Sequence, residues 1–262
     1  MAEVLLRESV DNGRIRLLTL NRPDVMNALN TDLGRAIIGA IDEIAEDPTV
    51  RVIVLTGAGD RAFCTGADLK ERNSMPEDVW LRQHRVFEEV HRKIRTCLKP
   101  MICAANGYAL AGGFELAFSC DFVYASSNAK FGVPEVTRGI IPGVGGTQLL
   151  GRVLPRGRGA ELLFTGGFIS ADQALAAGLV NRIFGPQELL GATMEVARQI
   201  ASNSPLAIQM AKKAFRLGAS MAIEDAIEFS LECYNRTVSH PDRIEGVQAF
   251  NEKRKAVFLD AY

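Results

Sequence analysis

Along the first half of the chain, short apolar runs alternate with longer stretches of helical spacing. Arg14 to Leu20 reads as a strand that stops at the Asn21-Arg22-Pro23-Asp24 turn, and Thr31 then caps a helix whose Leu33, Ile37, Ile41 and Ile44 mark one face. Arg51 to Thr56 is a compact apolar strand, Asp78 to Arg95 a second helix, and Met101 to Ala105 another buried strand. A sheet covered by helices has this rhythm. After Asp121 to Ala125 the strand signals thin, and from about Ser170 onward helical spacing dominates, with predicted helices at 187–202, 205–217, 222–236 and 241–256. Ser204-Pro205 and His240-Pro241 place proline near two helix starts, where a missing N–H costs nothing. No low-complexity linker separates the halves, so we expect a single α/β domain over 1–262, with a core over 1–185 and a helical region over 186–262.

Composition narrows the partners. The 262 residues carry 30 basic and 31 acidic side chains, a net charge of -1 that implies no nucleic-acid or membrane partner. The first ten residues mix acids with apolar side chains and lack the basic start and apolar stretch of a signal peptide, which points to a cytoplasmic location. Residues 101–118 are apolar enough to suggest a membrane span, but Asn106, Glu115 and three glycines interrupt them, as suits a buried core around a site. Cysteines at 64, 97, 103, 120 and 233 show no paired spacing and read as reduced, buried thiols; Cys64 has no nearby histidine to activate it.

Candidate chemistry concentrates at two turns. Glu115 follows Gly112-Gly113 at the start of a predicted helix, and Glu135 follows Pro134; two carboxylates in one pocket can divide proton donation and abstraction between them. At the glycine pair, the Gly112 N–H would point out of a helix N-terminus with the dipole behind it, suited to developing negative charge. Two competing motifs fail. Gly57-Ala58-Gly59-Asp60-Arg61-Ala62 is not followed by a helix, so no nicotinamide or flavin site is expected. His84, Glu88 and His91 share a helix face among arginines and lysines and read as solvated, so no metal is expected.

The runs Asn106 to Asp121, Arg61 to Glu71, Asn21-Arg22-Pro23, Ile141 to Gln148 and Phe250 to Lys255, in that setting, resemble the crotonase superfamily, and within it the enoyl-CoA hydratases. The resemblance implies a superhelix of β-β-α turns with a C-terminal helical oligomerisation region, forming homotrimers or homohexamers. It implies an acyl-CoA thioester substrate, with coenzyme A entering as part of it and no separate cofactor. Ala67 would join Gly112 in an oxyanion hole for the thioester oxygen. Glu135 would exchange a proton with the α-carbon, and Glu115 would orient the water that attacks the β-carbon. Thr65, Ala67, Asp68, Leu69 and Lys70 would lie along the coenzyme A portion, with Lys253 and Arg254 near its phosphates. Double-bond isomerisation on the same scaffold, or non-catalytic binding of CoA thioesters, are the alternatives. Lys70-Glu71-Arg72 and Met75 bear a slight resemblance to the methylglutaconyl-CoA hydratase branch, where Arg72 could meet an acidic acyl tail or simply face water.

Overall fold

A computed structural model describes residues 3–259. The chain opens with a hairpin, β1 (Leu5–Val10) and β2 (Ile15–Leu20), paired antiparallel from Leu5↔Leu20 to Val10↔Ile15. Helix α1 (Thr31–Glu46) follows; its N-cap is Asn30, whose side chain accepts from the Leu33 N–H, rather than the expected Thr31. Thr31 is instead the first helical residue, and its N–H and hydroxyl go to Glu71.

Three β-β-α turns come next. The first is β3 (Val52–Gly57), β4 (Ala62–Cys64), the short α2 (Leu69–Arg72) and α3 (Glu77–Thr96). The second is β5 (Met101–Ala105), β6 (Tyr108–Leu110) and α4 (Gly112–Ser119). The third is β7 (Phe122–Ser126), β8 (Lys130–Gly132) and a 3-10 turn at Pro134–Arg138, leading to α5 (Gly146–Val153) and α6 (Arg156–Thr165). In each turn the first strand joins one sheet and the second strand another. The result is a six-stranded sheet ordered β1-β2-β3-β5-β7-β10 and a four-stranded sheet ordered β4-β6-β8-β9, with β9 at Phe168–Ser170 and β10 at Arg182–Phe184. This is the superhelical repetition the resemblance implies. Between β9 and β10 lies α7 (Ala171–Ala176), and α8 (Leu189–Ala201), α9 (Pro205–Gly218), α10 (Ile223–Val238) and α11 (Pro241–Asn251) complete the helical end.

The larger sheet is buried on both faces, which is why its central strands read as unbroken apolar runs. Alternate residues divide between two cores: Ile15, Val52, Val54, Ile102 and Ala104 pack under α8, while Leu18, Ile53, Leu55, Met101 and Cys103 face the core shared with α1, α3 and α4. Residues 101–118 resolve into β5, β6 and α4, and no helix among the described residues is long and apolar enough to cross a membrane. The five cysteines are free and buried, and burial pushes the Cys64 thiol up to about 12, removing it as a nucleophile near neutrality. Three expectations need revision. β1 has no counterpart in the apolar pattern, because as an edge strand it alternates with charged residues; β8 to β10 are only three residues each, too short to show periodicity. The last helix ends at Asn251 instead of 256, and Lys253 turns into left-handed backbone at φ 54.

Candidate active site

The second strand of each turn ends where its chain must reverse toward a helix, and these reversals line one cavity of about 810 Å³. Its walls include Thr65, Ala67 and Leu69 after β4, Ala111, Gly112 and Glu115 at the start of α4, and Glu135 on the 3-10 turn after β8. Phe87, His91, Trp80 and Arg72 close the side formed by α2 and α3.

The two backbone amides come together through close glycine contacts. Gly66 sits at φ +87, and a Cβ there would lie 2.8 Å from the Ala111 Cβ and 3.0 Å from the Gly112 nitrogen. A Cβ on Gly112 would in turn lie 3.9 Å from the Ala67 nitrogen, so the two amides flank the same space. Neither N–H donates to an acceptor among the described residues: the bridge at Ala67 uses the Gly66 carbonyl and the Asp68 N–H, and Gly112 opens a helix. Ala111 holds the turn at φ 52 and ψ -128, a conformation rare for a residue with a side chain, while its N–H is tied to the Gly132 carbonyl at 2.9 Å.

Glu115 is 2% exposed, and its Oε1 accepts from the Val144 N–H at 2.9 Å and the Gly146 N–H at 2.6 Å. The carboxylate of α4 therefore caps the N-terminus of α5 rather than that of its own helix. Burial raises its pKa, and those two N–H groups and the Arg95 charge pull it back. Glu135 is treated differently. Its Oε2 is buried with no hydrogen-bond partner among the described residues, and burial, with the Glu115 charge adding to it, pushes its pKa up to about 7. One carboxyl is thus anchored by donors that favour its charge, and the other is held close to half-protonated at neutral pH.

His91 departs from the expected solvated face. It is 1% exposed, its Nδ1–H donates to the Phe87 carbonyl at 2.7 Å, and burial pushes its pKa down to about 4, so a neutral ring backs Gly112. His84 partners Glu88 at 3.4 Å and lines the cavity. No group of three metal-ligating side chains occurs among the described residues. The polar members of the α3 stripe, Gln83 and His91, stood at core spacing with Phe87, Val90 and Ile94; that spacing was the signal for their burial.

The remaining predicted residues divide. Thr65, Ala67 and Leu69 line the cavity, but the Asp68 carboxylate is occupied by Arg22 at 2.8 Å and by the N–H groups of Lys70 and Glu71, where it caps α2. Lys70 is exposed and is not among the cavity's lining residues. Lys253 is not among its lining residues, and Arg254 is bound to Glu245 and Glu252. The turn after β3 runs into β4, not a helix, in keeping with the rejected dinucleotide motif.

The sequence profile described as enoyl-CoA hydratase/isomerase matches residues 11–261. The short-chain-enoyl-CoA hydratase of Clostridium acetobutylicum is 42% identical over 243 residues, covering 93% of each chain. Crotonyl-CoA hydratase of Syntrophomonas wolfei is 40% identical, covering 94% of this chain and 95% of that one. Among solved structures, an enoyl-CoA hydratase from Bacillus anthracis superposes with a TM-score of 0.95 at 36% identity, over 98% of this chain and 99% of that one.

Proposed function

The chain belongs to the enoyl-CoA hydratase/isomerase, or crotonase, family, and from that premise we propose that it is an enoyl-CoA hydratase, a lyase that adds water reversibly across the double bond of a 2-enoyl-CoA. The observation that carries this reading is the pair Glu115 and Glu135 in one cavity with two unengaged amides. The N–H groups of Ala67 and Gly112 receive the thioester oxygen and stabilise the charge that gathers on it as C3 is attacked. A donor of this kind contributes about 3 to 4 kcal/mol to the transition state. Glu115, held by Val144 and Gly146, takes a proton from the attacking water as the oxygen–C3 bond forms. Protonated Glu135 gives its proton to C2, and a proton then passes from Glu115 back to Glu135 to close the cycle. Thr65, Ala67 and Leu69 border the path of the coenzyme A portion, and exposed Lys70 is available for a phosphate.

The chain acts as one domain, with its helical end, 186–262, as the oligomerisation region of a homotrimer or homohexamer. Exposed Phe215, Tyr234 and Phe250 on that end support this. The test is turnover of crotonyl-CoA, a 2-enoyl thioester, against a 3-enoyl thioester. Glu135→Gln is expected to lower hydration by at least about 10². Glu115→Ala should lower hydration at least as far while sparing isomerisation, which needs a single proton carrier. Equal loss of both reactions would take the water from Glu115, and turnover of the 3-enoyl thioester alone would make the enzyme an isomerase.

A further inference from the structure

Arg95, in the last turn of α3, reaches the active site through a backbone peptide. It is half-buried, pairs with no acid among the described residues, and its Nη1 donates to the Val144 carbonyl at 3.1 Å. That peptide carries the Gly145 N–H on its opposite edge, because the carbonyl and N–H of a trans peptide point in opposite directions. The Gly145 N–H acts on the Glu115 carboxylate together with those of Val144 and Gly146. Three successive N–H groups thus form a concave cradle for an anion, made possible by Gly145 at φ +123, a backbone that residues with side chains avoid. Drawing the Val144 carbonyl toward Arg95 turns the Gly145 N–H toward Glu115, and a charged donor at one end of a peptide strengthens the dipole at the other. His84 presses on the same loop from α3: a Cβ on Gly143 would lie 2.5 Å from its Cε1.

The guanidinium also acts by its charge. Burial favours the protonated form of Glu115, and Arg95 opposes it. No other cation is free to do so among the described residues around α4. The strands beneath it bring no charged side chain, and Arg152 of α5 is exposed. In the cavity wall Arg138 turns to Thr137, Arg72 is held by Gln83 and Trp80, His84 pairs with Glu88, and His91 is neutral. Glu135 works the other way: its carboxyl is raised by burial and by the Glu115 charge.

We propose that Arg95 is a positioning residue for hydration. Through the Val144–Gly145 peptide it aims the cradle that holds Glu115, and through its charge it keeps the single proton of the carboxyl pair on Glu135. This rests on the reading of Glu115 as the group that activates water.

The test measures kcat and KM for crotonyl-CoA hydration across the acid and neutral range, in the wild type and in Arg95→Met, Arg95→Lys and Arg95→Gln. Arg95→Met is expected to lower kcat about 10- to 100-fold while KM changes by less than about threefold, as misaimed reacting groups do. The acid limb of its kcat/KM profile, where Glu115 takes up a proton, should move to higher pH by at least about half a unit, since the carboxylate loses its cation. Arg95→Lys should return both toward wild type. Arg95→Gln, a donor without charge, should recover part of kcat and keep the displaced limb. Infrared titration of the ligand-free proteins follows the Glu115 carboxyl directly, as the band that Glu115→Gln removes, and should show the same displacement. A wild-type kcat with an unmoved acid limb in Arg95→Met would overturn the proposal. So would equal impairment of all three variants with butyryl-CoA binding weakened to the same degree, the pattern of a merely structural arginine. Thermal transitions check folding, and should Arg95→Met fail to fold, the contrast between Arg95→Lys and Arg95→Gln decides. A wild type that does not hydrate crotonyl-CoA would remove the hydratase reading; the infrared displacement would then still support the hold of Arg95 on Glu115, or by its absence overturn it.

Discussion

A carboxyl group that titrates near neutrality makes folding itself depend on pH, and Glu135 is such a group. Its ordinary pKa of 4.5 applies in the unfolded chain, and the folded value is about 7. Below pH 4.5 the group is protonated in both states and costs nothing; as pH rises toward 7 the unfolded chain ionises first, and stability falls until the folded carboxyl ionises too. Glu135→Gln removes this dependence, so the variant should gain about 1 to 3 kcal/mol on the wild type between pH 4.5 and 8. Urea melts of both proteins across that range would detect it, and a constant difference would refute the raised pKa. Catalysis should follow the same group: kcat/KM for hydration, which needs the protonated acid, declines as pH passes about 7, and kcat/KM for dehydration of the hydroxyacyl thioester declines with it, because the reverse reaction needs the same single proton shared by the two carboxyls. At Gly66, alanine would strain a backbone at φ +87 and push against Ala111 and Gly112. We expect Gly66→Ala to reduce kcat by about 10² or more, as loss of an oxyanion donor does, with thioester binding weakened less.

Among the elements, α4 and α5 cooperate across the cavity. The carboxylate that projects from the first turn of α4 is positioned by the amides that begin α5, so the register between these helices sets where Glu115 points. A Cβ on Gly146 would fall 2.7 Å from the Pro142 Cβ and 3.1 Å from Glu115 Oε1. Gly146→Ala is therefore expected to shift the carboxylate and lower hydration at least about tenfold, since small misplacements of reacting groups are costly. The control is Gly151→Ala in the same helix, where a Cβ meets nothing within 4 Å; if both variants lose activity alike, the effect belongs to α5 as a whole. Gly113 has a different reason for being glycine. A Cβ there would sit 2.0 Å from the Cys64 carbonyl, so the close approach of α4 to β4 admits no side chain.

For the whole molecule, the helical end presents an apolar stripe that the described chain does not cover. Ile223, Ile227, Leu231 and Tyr234 repeat along one face of α10, with exposures of 70%, 48%, 55% and 63%. Phe215 on α9 and Phe250 on α11 are also exposed, at 84% and 82%. A face of this kind suits burial between copies. Light scattering should return three or six chains, and Leu231→Glu should shift the protein to smaller species by placing a charge in that contact. A wild-type monomer at micromolar concentration would overturn the oligomer.

By itself the sequence determined the elements whose signals are local. Apolar runs dense enough to be buried on both faces marked β3 and β5, and the spacing of Leu33, Ile37, Ile41 and Ile44 marked the buried face of α1. The glycine and proline turns before Glu115 and Glu135 were equally legible, because close approach and chain reversal restrict residue type at the position itself. Only the tertiary structure decided what depends on partners far along the chain. Asp68 proved to be a helix cap tied to Arg22, and His91, expected in water, is sealed beneath Gly112. Glu71 proved to accept from the start of α1, and Glu115 found its donors 29 and 31 residues away. Burial, charge pairing and pKa are set by which segments pack together, so the carboxylates could be named from the sequence, but the difference between an anchored Glu115 and an unpartnered Glu135 comes from the fold.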